Sequence, residues 1–204
     1  MTELLVATNN PGKLNEFRRL LATLPARVVG PADARIALEV DEPYATYGEN
    51  AAVKAAAFCR ASGLLTLADD SGIEVAALGW GPGVHSARWG MRDGRDADRL
   101  LEAVADAPDR RARMVCWLAL AIPVEPDPAI ELFDGVLEGS VAVERRGRSG
   151  FGYDPIFELP SGQTTAELPD HVKDRISHRG RAVTAAIPRL RELLAKTAAE
   201  VRLG

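Results

Sequence analysis

Several short segments carry side chains of the types that bind phosphate. The first is Thr8-Asn9-Asn10-Pro11-Gly12-Lys13, where an apolar run ends in a tight turn before a predicted helix. Backbone N–H groups at a helix N-terminus attract anions, and Thr8, Asn10 and Lys13 add side-chain donors. The spacing differs from that of a Walker loop, which needs two glycines bracketing four residues before Lys-Ser or Lys-Thr. The segment predicts an anion site, and the alternative is an ordinary Asn-Pro-Gly turn with an exposed lysine.

Two adjacent carboxylates, Asp69 and Asp70, follow an apolar stretch that is predicted to be a buried strand over 64–68, and Ser71 comes next. An ionised group at such a place is costly unless it is paired with a cation or bound to metal. Adjacent strand residues point to opposite faces, so we expect one aspartate to face a cleft and the other to orient its surroundings or cap the turn. A cleft-facing Asp70 could hold Mg²⁺ or activate water. The alternative is a structural Asp-Ser-Gly turn.

Upstream of these aspartates lie further groups of the same kinds. Glu42 could complete the oxygen ligands of a metal, and Lys54, one turn into a predicted helix over 49–61, could reach a phosphate oxygen. The alternatives are a surface ion pair between Lys54 and Glu49, and a capping role for Asn50. Only four of the 25 basic residues are lysines, and three of those four lie in the candidate segments. This distribution favours lysines that act as point charges on phosphate oxygens.

A second group of candidates lies near the C-terminus. Phe151-Gly152-Tyr153-Asp154-Pro155 places an aromatic face that can stack on a base beside a carboxylate that can read the base edge. Lys173 and the run Ser177-His178-Arg179-Gly180 surround a predicted helix start with Ser177 as its N-cap. These cations could bind phosphate or a base carbonyl. The alternatives are a turn with Phe151 packed in the core and a solvated helix terminus.

Hydrophobic patterning predicts the elements that must position these side chains. Alternating helices and buried strands indicate an α/β fold. The predicted strands cover 3–8, 64–68, 114–122 and 130–144, the last two joined around Pro126-Asp127-Pro128 as an antiparallel pair. The predicted helices cover 13–24, 49–61, 96–105 and a closing segment from Arg179 onward, which Pro188 should break or kink.

Composition limits the class of protein. The chain has 204 residues, of which 47% are hydrophobic and 26% charged, as in an average globular protein, so one domain over 1–204 is expected. Cys59 and Cys116 lack the spacing of a metal site and are predicted to lie in the core. The longest apolar stretch, from Val115 to Val124, is far shorter than the roughly 20 residues of a membrane helix, and no signal-peptide pattern precedes it. We therefore expect a cytoplasmic protein with no membrane partner.

The net charge of −4 argues against a nucleic-acid partner, because proteins that bind DNA or RNA usually carry a basic face. Any phosphate binding must therefore be local. A small-molecule phosphate compound is the partner that these segments indicate.

Taken together in this order, the segments resemble one family, the inosine/xanthosine triphosphate pyrophosphatases. The resemblance extends from residue 8 to residue 180 and is far more specific than any one segment. It is carried by Thr8-x-Asn10-x-x-Lys13, Glu49-Asn50-Ala51 with Lys54, Ala68-Asp69-Asp70-Ser71-Gly72, Gly81-Pro82-Gly83 with Ser86-Ala87-Arg88, Phe151-Gly152-Tyr153-Asp154-Pro155 and Ser177-His178-Arg179.

The resemblance implies a long mixed β-sheet flanked by helices, two lobes around a central substrate cleft, and a homodimer. It also implies Mg²⁺-dependent hydrolysis of ITP, dITP and XTP to the monophosphate and pyrophosphate. Residues 8 to 13 would bind the phosphates, Asp70 would be the metal ligand and proton acceptor, and Ser71 would touch the substrate. The nucleotide pocket would be completed by Phe151, Gly152, Tyr153, Asp154, Lys173, His178 and Arg179.

The family's metal-binding glutamate is matched less closely, because Asp41-Glu42-Pro43 departs from the usual local order and Glu39 lies nearby. The remaining residue types fit the implied reaction. Water that attacks the α-phosphorus needs a carboxylate such as Asp70 to take its proton. Lys13 and Lys54 could offset the negative charge on the departing pyrophosphate.

Three other functions remain open at this point. A related house-cleaning pyrophosphatase for modified pyrimidine or canonical nucleotides would share the phosphate loop and the carboxylates. A regulatory module that binds nucleotide without catalysis is a second alternative, although Asp69, Asp70 and Lys13 together favour an intact catalytic site. A nucleic-acid binder is the weakest alternative because of the net charge.

Overall fold

In the computed structural model, which describes residues 2–89 and 95–203, helices and strands alternate along the chain. The strands are β1 (Thr2–Val6), β2 (Ala26–Val29), β3 (Thr66–Val75), β4 (Gly81–Pro82), β5 (Arg111–Ile122), β6 (Ala129–Val141) and β7 (Phe157–Glu158). The helices are α1 (Pro11–Leu20), α2 (Tyr47–Ser62), α3 (Ser86–Trp89), α4 (Asp96–Ala103), α5 (Asp170–Ile176) and α6 (His178–Leu203). The side chains of Arg88, one of the residues that carry the resemblance, and of 197–203 lie outside the description.

The strands form one mixed sheet, which confirms the predicted α/β class. Its strand order is β2-β1-β3-β5-β6-β7, with β4 paired to β3. The pairs of β1 with β2 and with β3 are parallel, whereas the pairs β3–β4 and β6–β7 are antiparallel. The two strands predicted around Pro126-Asp127-Pro128 are β5 and β6, which are neighbours in this order.

Two compact units make up the chain. The first comprises Met1–Asp70, Trp117–Asp134 and Ala182–Gly204, and its core includes Leu5, Ala51, Phe58, Cys59, Ala68 and Ala119. The second comprises Ser71–Cys116 and Gly135–Arg181, and its core includes Ile73, Leu100, Met114, Leu137, Ile156 and Phe157. Cys59 and Cys116 are both buried free thiols, as predicted. The single bilobed domain and its cleft stay predictions.

The predicted end of the strand at Ala68 is wrong. β3 continues through Asp69 and Asp70 to Val75, so the alternative of an Asp-Ser-Gly turn is wrong too. Charged residues in a buried strand are stable only when they have partners, and the partners described below come from residues far away along the chain. Local sequence does not reveal them.

Two helix predictions also need correction. α1 begins at Pro11 rather than Lys13, because Asn10 is its N-cap, and it ends at Leu20. α6 continues through Pro188, so the predicted break is wrong, while a kink at this position stays a prediction. The ring of Pro188 is exposed, while Ala186 and Leu190 on the other face are buried, and this packing outweighs the local cost of proline.

Among the helices of the described residues, none combines the length and the apolar character that crossing a membrane requires.

Candidate active site

The loop after β1 is held by its own side chains. Asn10 Oδ1 accepts hydrogen bonds from the backbone N–H of Gly12 at 2.8 Å and of Lys13 at 3.2 Å. Pro11 has no N–H to satisfy at this position, and Thr8 Oγ1 accepts from the N–H of Asn10 at 3.2 Å. Several of the N–H groups predicted to bind phosphate thus already have a side-chain acceptor. An anion could bind the N–H groups of Gly12 and Lys13 only by displacing Asn10.

Lys13 is held against β3 by Asp69. Its Nζ lies 3.0 Å from Asp69 Oδ2, with side-chain exposures of 20% and 1%. A buried carboxylate needs a cation beside it, and the expectation of a cation at this pair of aspartates is confirmed. Asp69 therefore fixes the position of the lysine of the predicted phosphate loop.

Asp70 has a different partner, Asn50 of α2. Asn50 Nδ2 donates to Asp70 Oδ2 at 3.1 Å and to the backbone carbonyl of Tyr44 at 3.2 Å. Asn50 Oδ1 accepts from the N–H of Tyr44 at 3.0 Å. The N-cap of α2 is Thr46, whose Oγ1 accepts from the N–H of Glu49 at 3.3 Å, so the capping role for Asn50 is wrong.

Glu42 and Lys54 form an ion pair beside this cluster. Lys54 Nζ lies 2.6 Å from Glu42 Oε1, and the two side chains are 15% and 26% exposed. The alternative pair of Lys54 with Glu49 is wrong, because Glu49 Oε2 accepts a hydrogen bond from Thr46 Oγ1 at 2.5 Å instead. Lys54, which was predicted to reach a phosphate oxygen, is thus held next to Glu42, a predicted metal ligand.

The surroundings of Asp70 disfavour its charged form. Burial raises the pKa of its carboxyl above 3.8, and the negative charge of Glu42 raises it further, while the hydrogen bond from Asn50 and the charges of Lys54 and Lys13 oppose the shift. A divalent cation would relieve this repulsion between two carboxylates.

The donor chemistry fits Mg²⁺. Carboxylate oxygens are the ligands that this ion prefers, and it is usually bound by one or two of them together with substrate phosphates. Within 2–89 and 95–203, no three His, Cys, Asp or Glu side chains gather in a way that could hold a metal. Asp70 and Glu42 supply two carboxylates of the kind that Mg²⁺ prefers.

In the second unit, the carboxylate of Asp154 fixes the turn that carries Phe151. Asp154 Oδ2 accepts from the N–H of Phe151 at 2.8 Å and from Lys173 Nζ at 2.5 Å, and its Oδ1 accepts from Thr165 Oγ1 at 2.9 Å. Gly150 has φ +74°, and a Cβ there would lie 2.1 Å from Asp154 Oδ2, so the turn requires glycine. If Asp154 reads a base edge, as predicted, it must do so in competition with these bonds.

The ring of Phe151 is flanked by two buried cations. Lys173 Nζ lies 5.3 Å and Arg179 Cζ 5.9 Å from the ring centroid, which is within cation–π range. Arg179 Nη2 also donates to Ser71 Oγ at 3.0 Å. Phe151 is partly exposed, so its alternative as a core residue is wrong. An aromatic face beside cationic donors suits a planar base that carries oxo groups.

The junction of α5 and α6 positions Arg179 and His178. Ser177 Oγ accepts from the N–H of Gly180 at 3.0 Å, as expected of an N-cap. A Cβ on Gly180 would lie 1.8 Å from the carbonyl oxygen of Asp174, so glycine permits this close approach. His178 is 8% and Arg179 3% exposed, and the alternative of a solvated helix terminus is wrong.

Tyr153 anchors the same turn. Its hydroxyl donates to the backbone carbonyl of Ser86 at 2.8 Å, and burial raises the pKa of Tyr153. Ser86 Oγ in turn accepts from the N–H of Ile73 at 2.9 Å and lies 2.6 Å from the carbonyl oxygen of Gly83. These contacts connect the Gly81-Pro82-Gly83 motif with the Phe151 turn.

The structure places the predicted residues in two sets, one in each unit. The first set contains Thr8, Asn9, Asn10, Pro11, Gly12, Lys13, Glu42, Lys54 and Asp70, and the second contains Ser71, Phe151, Gly152, Tyr153, Asp154, Lys173, His178 and Arg179. Sequence reasoning missed Asn50 as a partner of Asp70, although a polar residue among the alanines of a helix was a usable signal. It also missed Thr165, whose partner Asp154 lies too far along the chain for a local motif.

Comparison with known proteins supplies independent evidence. The model of the Ham1 family matches residues 4–189. A relative from an Anaeromyxobacter species named dITP/XTP pyrophosphatase is 41% identical, and the alignment covers 97% of this chain and 99% of the relative. A relative of the same name from Symbiobacterium thermophilum is 47% identical over 94% of this chain and 96% of its own length.

Solved structures agree with these relatives. A HAM1 protein from Coxiella burnetii superposes with a TM-score of 0.80 at 39% identity, covering 96% of this chain and 100% of that one. A structure from Mycobacterium abscessus, described as a nucleoside-triphosphatase and dITP/XTP pyrophosphatase, gives a TM-score of 0.68 at 40% identity over 92% of this chain and all of that one.

Proposed function

This chain belongs to the Ham1 family, and from that premise we propose that it hydrolyses dITP, ITP and XTP to the nucleoside monophosphate and pyrophosphate. The reaction makes it a hydrolase of acid anhydrides that removes non-canonical purine nucleotides from the nucleotide pool. The names of its relatives support this substrate class. The structural observation that carries the proposal is Asp70, a carboxylate only 8% exposed whose pKa is raised by burial.

Asp70 is the proton acceptor of the proposed mechanism. In its ionised form it takes a proton from the water that attacks the α-phosphorus, and such general-base catalysis contributes about 10²- to 10⁴-fold in rate. Asn50 holds Oδ2 of Asp70 and thereby limits the orientations of the carboxylate.

Lys13 and Lys54 offset negative charge on the triphosphate and on the departing pyrophosphate. Both are pre-positioned by carboxylates, Lys13 by Asp69 and Lys54 by Glu42. When bound, Mg²⁺ would be held by Asp70 and Glu42 and would neutralise further charge on the phosphate oxygens.

Selectivity for the base rests on the second set of residues. Phe151 offers a stacking face, and Arg179, Lys173 and His178 offer donors to a 6-oxo group. Adenine presents an amino group there, which cannot accept hydrogen bonds from these donors, so its complex lacks bonds that a 6-oxo group would make. Hypoxanthine and xanthine are therefore preferred.

A panel of nucleotides tests reaction, substrate and metal together. Pyrophosphate release should be measured from dITP, ITP, XTP, ATP and dTTP, with Mg²⁺ and with chelator. We expect kcat/KM for the oxopurine nucleotides to exceed that for ATP at least about 100-fold, and activity to disappear with chelator.

Each alternative has its own outcome in the same panel. A preference for ATP or dTTP would indicate a house-cleaning enzyme of different specificity. Nucleotide binding without pyrophosphate release from any substrate would indicate a regulatory module.

The resemblance also supports a homodimer. Light scattering of the purified protein should then give twice the chain mass of 21.9 kDa, and a mass of one chain at micromolar concentration would contradict it. The cytoplasmic location stays a prediction.

A further inference from the structure

Asn50 is a buried polar residue whose amide nitrogen and amide oxygen both form hydrogen bonds. It is 1% exposed, and burying an amide is costly unless each polar atom is bonded. Its Nδ2 bonds Asp70 Oδ2 and the carbonyl of Tyr44, and its Oδ1 bonds the N–H of Tyr44. The side chain therefore connects a strand residue with the backbone of a loop.

The loop in question carries Glu42. Residues 36–44 belong to no helix or strand, so the position of Glu42 is not set by regular secondary structure. By binding both the N–H and the carbonyl of Tyr44, Asn50 fixes this backbone much as a neighbouring strand would. Ile36, Leu38 and Val40, which precede Glu42, pack against the core of the first unit, whereas the Tyr44 side chain after Glu42 is 44% exposed.

A second residue of α2 holds the same loop. Lys54 lies one helical turn after Asn50, on the same face, and binds Glu42 directly at 2.6 Å. The helix thus holds the loop at Tyr44 through Asn50 and at Glu42 through Lys54. Of these two residues, Asn50 also bonds Asp70.

We propose that Asn50 is a positioning residue that fixes the loop carrying Glu42 relative to Asp70, and thereby sets the separation of the two carboxylates for a divalent cation. This inference rests on the metal site of the proposed function. Residues that orient metal ligands through hydrogen bonds typically contribute about 10- to 100-fold to metal affinity.

Binding of Mn²⁺, a spectroscopic probe for an Mg²⁺ site, tests the inference without catalysis. Free Mn²⁺ is measured by electron paramagnetic resonance in titrations of the nucleotide-free wild type, Asn50→Ala and the milder Asn50→Ser. Affinity should fall at least about 10-fold in Asn50→Ala and by a smaller factor in Asn50→Ser, whose single hydroxyl stays polar but cannot replace all three bonds of the amide. The Mg²⁺ concentration for half-maximal pyrophosphate release from dITP should rise in the same order.

Ser62→Ala is the matched control. Ser62 lies at the other end of α2, about 18 Å away at 1.5 Å per residue, and its hydroxyl also bonds backbone, donating to Phe58 O at 2.8 Å and accepting from Leu64 N at 3.0 Å. Loss of the hydroxyl in Ser62→Ala should lower the melting temperature of the protein while leaving its Mn²⁺ affinity unchanged.

The outcomes separate this inference from the proposed function. Unchanged Mn²⁺ affinity in a folded Asn50→Ala, alongside an active wild type, overturns the inference and leaves the function intact. If Asn50→Ala does not fold, unchanged affinity in Asn50→Ser overturns it equally. A wild type that releases pyrophosphate but binds no Mn²⁺ without nucleotide overturns the inference alone, and a wild type that does neither overturns both.

Discussion

At the scale of single residues, Asp69 and Asp70 are neighbours in β3 with opposite kinds of partner. Asp69 forms an ion pair with the ammonium of Lys13, and this cation neutralises the negative charge of Asp69. Asp70 is bonded by the neutral amide of Asn50, which orients the carboxylate without neutralising it. This difference favours Asp70 over Asp69 as the group that accepts a proton.

Asp70→Asn should remove catalysis while stabilising the metal-free fold. Pyrophosphate release should fall by about 10²-fold or more. Because the folded-state pKa of Asp70 is raised, the folded state binds its proton more tightly than the unfolded state does. Stability is therefore lost as pH rises through the raised pKa, and the variant, which carries no charge there, should melt higher at neutral pH.

Thermal unfolding in chelator across the acidic and neutral range, together with the nucleotide assay, checks both parts. The difference in melting temperature should shrink below the ordinary pKa of 3.8, where the wild-type carboxyl is also neutral. Near-normal turnover by Asp70→Asn would refute the assignment.

The buried pair of Asp154 and Lys173 should show strong coupling. The two side chains are 5% and 4% exposed, so Asp154→Asn leaves a buried cation and Lys173→Met a buried anion, each at a cost of about 3–5 kcal/mol. The double variant contains neither charge and should lose clearly less stability than the sum of the single losses. Urea denaturation of the four proteins measures this, and additive losses would show that the pair is not coupled.

At the scale of elements, α6 contains Pro188 in its interior and still forms one continuous helix. A proline inside a helix costs about 3 kcal/mol relative to alanine, partly offset by a stiffer unfolded chain. Since Pro188 is exposed, Pro188→Ala should raise the free energy of unfolding by about 1–3 kcal/mol. Ala185→Pro, at an exposed position of the same helix, should lower it by a similar amount. A destabilised Pro188→Ala would mean that the fold depends on a bend at this position.

Element types were predictable from sequence because they depend on local patterning. The helix predicted over 49–61 is α2 (Tyr47–Ser62), and Gly63, which follows it, adopts φ +67° as its C-cap. The Asn10-Pro11 pair contains the signal for the start of α1, a cap followed by proline, which a strict reading of apolar spacing overlooked.

What sequence did not reveal depends on contacts between distant positions. The extension of β3 through Asp69 and Asp70 depends on Lys13 and Asn50, which lie on two different helices. Likewise, the residue types near Phe151 indicated a base-binding turn. Only the fold shows that the carboxylate oxygens of Asp154 accept hydrogen bonds from Lys173 and Thr165.

At the scale of the whole molecule, the charge distribution bears on possible partners. Many arginines are paired with carboxylates on the surface, where such pairs contribute little to stability. Examples are Arg18 with Asp33, Arg60 with Asp127, Arg111 with Asp109 and Arg145 with Asp98. This pairing, with a net charge of −4, leaves little excess positive charge for a polyanion.

We therefore expect no measurable affinity for nucleic acid. Fluorescence anisotropy of labelled single- and double-stranded DNA at low salt should stay flat up to micromolar protein. Binding that weakens steeply with added salt would contradict this expectation, because such a slope reports phosphate contacts.

The small number of lysines has a practical consequence for chemical labelling. All four amines lie in ion pairs, but the side chains of Lys13, Lys54 and Lys173 are no more than 20% exposed. Lys196, which pairs with Glu192 on the surface of α6, is 63% exposed. Among the lysines, an amine-reactive dye or surface linker at limiting dose should therefore attach first to Lys196, and would leave the three site amines chemically intact.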